Sequence, residues 1–163
     1  MLEILPCPPS AYTEVAEIYN SYILQNGYTM DCELKVADHI ASWVQQFNDR
    51  EALYIARAEE KIVGWAIIKR YSDRDGYRTT AETAVYLKED ATGKGYGTTI
   101  KKFLIEKCEA LKYRHLVAKI WSANKASIEY NRKLGYEIVG TQKNIGFKNG
   151  EWIDVTIMQY LIS

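Results

Sequence analysis

Thr92-Gly93-Lys94-Gly95-Tyr96-Gly97 follows a Thr-, Tyr- and Val-rich segment, 77–87, and runs into a stripe made by Ile100, Phe103, Leu104, Cys108 and Leu111. β-prone residues, then a glycine cluster, then a 3.6-residue apolar period spell strand, loop and helix. The predicted strand is 77–87 and the predicted helix 98–111. Glycine lets backbone amides come close to an anion. The first turn of a helix offers unpaired N–H groups and a partial positive charge. Their junction is a phosphate site, with Lys94 adding charge. Two familiar phosphate loops do not fit. A Walker loop needs Ser or Thr after Gly-Lys, but Gly95 follows Gly93-Lys94. A dinucleotide fingerprint read from Gly95 and Gly97 needs a glycine where Ile100 stands. A turn that binds nothing is the other reading of such a loop.

Before this loop, a short strand fits 2–5, and Ser10 is placed to cap a helix carrying Val15, Ile18, Tyr19, Tyr22 and Ile23, with Gly27 as its stop. A second helix fits 38–47 through Ile40, Trp43, Val44 and Phe47. Two strands, 53–58 and 62–69, join through the polar turn Glu59-Glu60-Lys61. After the loop, 115–121 reads as an apolar strand and 125–134 as a helix ended by Gly135. Strands at 136–141 and 152–161 close the chain, with Asn149-Gly150 as the turn signal. Strands and helices mixed in this order predict one mixed sheet flanked by helices.

The 163 residues fit one domain with its own core. A formal net charge of zero disfavours a nucleic-acid binder. No apolar run reaches the length needed to span a bilayer, and Met1 to Pro6 does not begin a secretory signal. Cys7, Cys32 and Cys108 match neither a disulfide framework nor a zinc spacing, so free thiols in the cytoplasm are expected. No metal is expected, and His39 and His115 are assigned no ligand role. Trp43, Trp65 and Trp121 are expected in the core, and Trp152 is expected to pack rather than bind.

The glycine loop resembles the pyrophosphate loop of the GCN5-related N-acetyltransferase (GNAT) superfamily. Gly95 and Gly97 match the pattern, and Thr92 replaces its Gln or Arg. Asn124-Lys125-Ala126-Ser127 followed by Leu134-Gly135-Tyr136 resembles the second superfamily block. Three further stretches resemble the phosphinothricin acetyltransferase-like branch: 74–87, with Arg74, Tyr77, Thr80, Glu82, Val85 and Tyr86; 146–155, from Gly146 to Val155; and Ile18-Tyr19-Asn20 with Glu33. The resemblance covers nearly the whole chain and implies a single GNAT domain over 1–163. The implied fold is α+β: a mostly antiparallel mixed sheet of about seven strands, flanked by helices and splayed between strands 4 and 5.

The resemblance also implies acetyl-CoA as co-substrate and a direct attack by an amine on its thioester. Main-chain groups of Val85, Tyr86 and Leu87 would hold the pantetheine arm and polarise the thioester carbonyl. Gly93, Lys94, Gly95, Tyr96, Gly97 and Thr98 would hold the pyrophosphate, with Asn124, Ser127 and Asn131 beside the arm. The amine must lose a proton before attack, and a positioned carboxylate eases that loss. Glu82 is the candidate base. Many superfamily members carry a Tyr, and the branch often a His, where this chain has Asn131, and an amide does not usefully deliver a proton to the departing thiolate. Arg74, Tyr77, Met30 and Lys148 are the candidate substrate residues, Arg74 through bidentate recognition of a carboxylate or phosphinate.

The implied activity is N-acetylation of a small amino-acid-like amine of the phosphinothricin or methionine sulfone/sulfoximine type, by a homodimer without nucleic-acid or membrane partners. The alternatives are acetylation of a protein N-terminus or lysine, and a non-catalytic acetyl-CoA-binding module.

Overall fold

Residues 61–70 show why the chain builds three layers. Successive side chains of a strand point to opposite faces. Trp65 and Ile67 face one way, Ala66 and Ile68 the other, and all four are buried. A strand covered on both faces lies in the middle of a sheet packed by helices on each side. The computed structural model describes residues 1–163 and shows this arrangement. In chain order the elements are β1 (Leu2–Pro6), α1 (Tyr12–Ile23), α2 (Ala37–Gln45), β2 (Ala52–Ala58), β3 (Lys61–Arg70), β4 (Thr80–Leu87), α3 (Tyr96–Ala110), β5 (His115–Trp121), α4 (Lys125–Lys133), β6 (Glu137–Lys148) and β7 (Glu151–Leu161). The seven strands form one sheet in the order β1-β2-β3-β4-β5-β7-β6. Every neighbouring pair is antiparallel except β4 and β5.

One core lies under α1 and α2, where Val15, Ile18, Tyr19, Ile23 and Ile40 meet Leu53, Ile55, Trp65 and Ile67. The other lies under α3 and α4, where Ile100, Leu104, Cys108 and Ile128 meet Ala66, Ile68, Ala81, Leu116 and Met158.

Several expected boundaries move. Ser10 does not cap a helix: it sits inside a 3₁₀ turn, Pro9–Ala11, and α1 begins at Tyr12 with no side-chain cap. Residues 77–79 are not strand. Asp75–Tyr77 forms a 3₁₀ turn, and β4 starts only at Thr80, where pairing with His115 begins. α3 starts at Tyr96, with Gly95 as its N-cap. β6 runs on to Lys148, because β7 supplies a partner as far as Glu151. The Asn149-Gly150 turn closes this hairpin with both residues at positive φ, 50° and 79°, as a tight two-residue turn requires.

Candidate active site

β4 and β5 pair over only three positions, Thr80–His115, Ala81–Leu116 and Glu82–Val117. Beyond them β4 continues on β3 to Leu87, and β5 continues on β7 to Trp121. The two strands therefore part immediately after Glu82, as the splay between strands 4 and 5 requires. Hydrogen bonds at each end fix which way the β4 backbone faces. The Tyr71 N–H donates to the Thr80 carbonyl, and the Lys88 N–H donates to the Val63 carbonyl, both between β4 and the β3 side. Alternation then turns the main chain of Thr83, Val85 and Leu87 toward the gap. An extended molecule laid in the gap can pair with these groups as an added strand. The Leu87 carbonyl already accepts from the Tyr22 hydroxyl, which leaves its N–H. Tyr86 falls on the even positions, so its main chain faces β3. It contributes its ring instead, stacked on Trp65 with centroids 4.8 Å apart.

At the far end of β4 the chain turns through the glycine loop into α3. Gly93 and Gly95 have φ of +74° and +82°, in the left-handed region that other residues occupy only with strain. Nothing lies within 4 Å of where a Cβ would stand on either residue, so the space in front of the α3 N-terminus is open. Lys94 is exposed beside it, and Tyr96, Gly97 and Thr98 form the first turn. The Tyr130 hydroxyl reaches in from α4. It is buried without a hydrogen-bond partner, and a Cβ on Gly97 would lie 3.4 Å from it. Burial pushes this phenol up to about 12, so it is a neutral donor at physiological pH. A splayed strand edge, an open glycine-capped helix N-terminus and an orphaned donor between them fit an extended phosphorylated thioester.

On the α1–α2 face the parting strands open into a cavity of about 1150 Å³. Glu82 lies on its wall at the apex of the splay, and Lys119 on β5 holds it, Nζ to Oε1 at 2.6 Å. That contact leaves Oε2 for a water or an amine. Tyr19 donates its hydroxyl proton to Asp31 and accepts from Thr29 (2.7 Å between oxygens). Desolvation, with Tyr86 and Asp31 adding to it, pushes the Tyr19 phenol far above its ordinary value. Burial and the nearby Asp31 push Tyr86 up to about 12. Both phenols therefore stay neutral beside the cavity. Arg70 is tied to Glu51 and Asp73. Charges of both signs line the space: Asp31, Glu51 and Glu82 with Lys35, Lys69, Arg70 and Lys119.

The remaining candidate residues divide. Met30 lines the cavity and lies over Gly146, which has no side chain to obstruct it. Tyr77 is exposed and packs edge-on to Tyr71, a lining residue, with centroids 5.3 Å apart. Arg74 is exposed and outside the lining. Lys148 is buried, and its ammonium donates to the carbonyls of Thr29 (3.0 Å) and Gln25 (3.5 Å), so it pins the loop after α1. Asn124 caps α4, accepting from the Ser127 N–H, and donates to the Gly27 carbonyl. Asn131 donates its side-chain amide to the Ser127 carbonyl, and its side-chain oxygen is buried without a partner. Trp43, Trp65 and Trp121 do more than fill the core, because all three line the cavity. Trp152 is 67% exposed and touches the Phe147 ring. His39 accepts from the Val36 N–H at the start of α2.

Residues 12–157 match the family model for the acetyltransferase (GNAT) domain. The chain belongs to the GNAT acetyltransferase family. Among its relatives, the phosphinothricin N-acetyltransferase of Alcaligenes faecalis is 39% identical over 106 residues, 64% of this chain and 54% of that protein. The alignment thus spans about half of the Alcaligenes protein's length. The L-methionine sulfoximine/L-methionine sulfone acetyltransferase of Pseudomonas paraeruginosa is 36% identical over 68% of this chain and 72% of that protein. A GNAT phosphinothricin acetyltransferase from Sinorhizobium meliloti, solved in complex with acetyl-CoA, superposes with a TM-score of 0.93 at 27% identity, covering 99% of this chain and 89% of that one. GNAT folds are thus known with acetyl-CoA bound.

Sequence reasoning missed Lys119, Asp31 and Lys101. Lys119 was detectable as the one charge inside the apolar run Leu116 to Trp121. Lys101 was detectable because it falls on the buried face with Leu104 and Cys108. Asp31 gave no signal, since Tyr19, whose hydroxyl it accepts, lies twelve residues earlier on α1.

Proposed function

We propose that this chain transfers the acetyl group of acetyl-CoA to the amine of a small amino-acid-like acceptor of the phosphinothricin or methionine sulfone/sulfoximine class. The observation that carries this reading is the position of Glu82, at the apex of the β4–β5 splay, on the cavity wall, with one carboxylate oxygen left open by Lys119. The thioester supplies the electrophilic carbonyl. The Val85 and Leu87 main chain holds the arm, and the gap-facing β4 N–H nearest the apex donates to the carbonyl oxygen as it gains charge. Gly93 to Thr98 hold the pyrophosphate. Glu82 takes a proton from the acceptor ammonium, directly or through water, and so frees the lone pair.

The mixed charge of the cavity suits a zwitterion: carboxylates meet the ammonium, while Lys69 or Lys119 meets a carboxylate or phosphinate. The names of the relatives support the same acceptor class. The test is to give the protein acetyl-CoA with an equimolar mixture of amino acids and these analogues, and to identify acetylated products by mass spectrometry. An acetylated analogue supports the reading. Acetylation of added peptides but of no small amine would replace it.

We also propose a cytoplasmic homodimer, supported by free cysteines and by the exposed Ile145, Phe147 and Trp152 on the β6–β7 hairpin. A single protomer mass by light scattering at micromolar concentration would remove the dimer.

A further inference from the structure

Lys101 is the least expected residue in the core. It lies on α3, 5% exposed, among Ile100, Leu104 and Cys108. No carboxylate pairs with it. Its one hydrogen bond goes to the Thr83 hydroxyl, Nζ to Oγ1 at 2.9 Å, and the Tyr136 ring lies 4.8 Å from the ammonium. Burying an ammonium without a counter-charge is costly, so its retention points to use. Thr83 is the first β4 residue past the last pair with β5, and it lines the cavity. Lys101 therefore sits beneath the point where the strands part, on the opposite face from Glu82.

A thioester within reach of an amine held by Glu82 has its sulfur close to Thr83. Of the other buried donors, Tyr136 packs against the Lys101 ammonium and is held protonated by burial, and Tyr130 lies at Gly97, which also neighbours Leu87. Leu87 is four residues further along the strand, about 13 Å at ~3.3 Å per residue. Asn131 has turned its amide N–H onto its own helix. We propose that Lys101, acting through the Thr83 hydroxyl, supplies the proton that the departing CoA sulfur takes up. This rests on the acetyl-transfer reading above.

The acceptor ammonium loses one proton to Glu82, and its lone pair forms the new C–N bond. The C–S bond breaks with its electron pair going to sulfur. Thr83 gives its hydroxyl proton to sulfur and takes one from Lys101. The nitrogen loses its second proton to water, Glu82 passes its proton to solvent, and Lys101 is recharged from solvent. One proton is released per turnover.

The acid is suited to the task. Desolvation lowers Lys101 from the ordinary 10.5 to about 8. That is close to a thiol near ~8.5, so the transfer is nearly balanced. The titratable groups around it are Cys108 on its own helix, Tyr136 before β6, and Tyr160 and Tyr130 beyond Tyr136. Burial pushes Cys108 up to about 12 and keeps Tyr136 protonated, so Lys101 is the only charge among them at neutral pH.

Three variants test this: Lys101→Met, Thr83→Val and, as the conservative control, Thr83→Ser. Two quantities are measured from pH 6 to 10: kcat, and the pH at which the thiol of bound CoA ionises, read from thiolate absorbance in the ultraviolet. Lys101→Met and Thr83→Val should lower kcat at pH 7 by about 100-fold with acetyl-CoA affinity unchanged. They should lose a fall in kcat that the unaltered protein shows above about pH 8, and Thr83→Ser should keep it. Bound CoA should ionise at lower pH in the unaltered protein than in Lys101→Met. Should Lys101→Met not fold, Thr83→Val, which removes one hydroxyl, decides. A Thr83→Val kcat within twofold of the unaltered protein, or an unshifted thiol titration, overturns the proposal. Absence of turnover in the unaltered protein sinks the acetyl-transfer reading instead, and the thiol titration then judges Lys101 alone.

Discussion

Replacing Glu82 by Gln keeps the shape of the side chain and removes its basicity. The Lys119 contact survives in part, because an amide oxygen still accepts from the ammonium. The pair is partly solvated, with side-chain exposures of 51% and 25%. A pair of this kind contributes at most ~1 kcal/mol to stability, so the melting temperature should fall by no more than about 4 °C. The Glu82 side chain points out of the sheet into the cavity and its own main chain faces β3, away from the gap-facing groups that would hold the arm, so acetyl-CoA affinity by calorimetry should stay within about twofold. The chemical step should suffer. A positioned base contributes roughly 10² to 10⁴ in rate, and the expected loss in kcat at pH 7 is ~10²-fold or more, about 3 kcal/mol of barrier. The loss should shrink as pH rises past ~8, where an α-amine sheds its own proton and needs no base. The assay is thiol release from acetyl-CoA at saturating amine, from pH 6 to 10. A Gln variant with unaltered kcat at pH 7, or with the same proportional loss at every pH, would refute the assignment of Glu82 as base.

Gly95→Val forces a β-branched residue into φ +82° at the α3 N-cap and puts its side chain where the phosphates would lie. Acetyl-CoA affinity should drop at least ~10-fold, about 1.4 kcal/mol, and normal affinity by calorimetry would count against the loop. Lys148→Met removes the ammonium that pins the Gln25 and Thr29 carbonyls. The expected cost is about 2 kcal/mol, a melting temperature lower by roughly 4–8 °C, and a raised KM for the amine but not for acetyl-CoA, since Met30 and Asp31 ride on that loop. Lys101→Met should be more stable than the unaltered protein at neutral pH. The folded-state value of about 8 lies below the ordinary 10.5, so the unfolded chain binds more protons between them and stability rises with pH through that window. Below pH 8 the full deficit applies, up to about 3 kcal/mol by that difference. The advantage of Met in chemical denaturation should vanish toward pH 10.5, and a pH-independent difference would show that Lys101 is not a buried ammonium.

The order of elements was legible because most of them carry one clear period. The helical stripe from Ile100 to Cys108 and the apolar run Leu116 to Trp121 fell where the structure has α3 and β5. β6 was cut short because its register slips between Ile138 and Gly140 and again between Gln142 and Gly146, so no alternation survives to be read. Residues 77–79 look like strand by composition, but strand pairing with β5 begins only at Thr80. In the site, Glu82 and the glycine loop could be named because each lies within one contiguous stretch. The partners could not: Lys119 meets Glu82 across the parallel pair, and Tyr19, Thr29 and Asp31 converge from a helix and the loop after it. The burial of Lys148 was hidden for the same reason, since its carbonyl partners lie more than a hundred residues earlier.

The most direct test of the account is the initial rate of CoA thiol release by the purified protein with acetyl-CoA and a panel containing phosphinothricin, methionine sulfone, methionine sulfoximine and the common amino acids. Saturable release with at least one of the analogues, and little without amine, is the expected result. A protein that binds acetyl-CoA in calorimetry yet releases no thiol with any of these amines contradicts it.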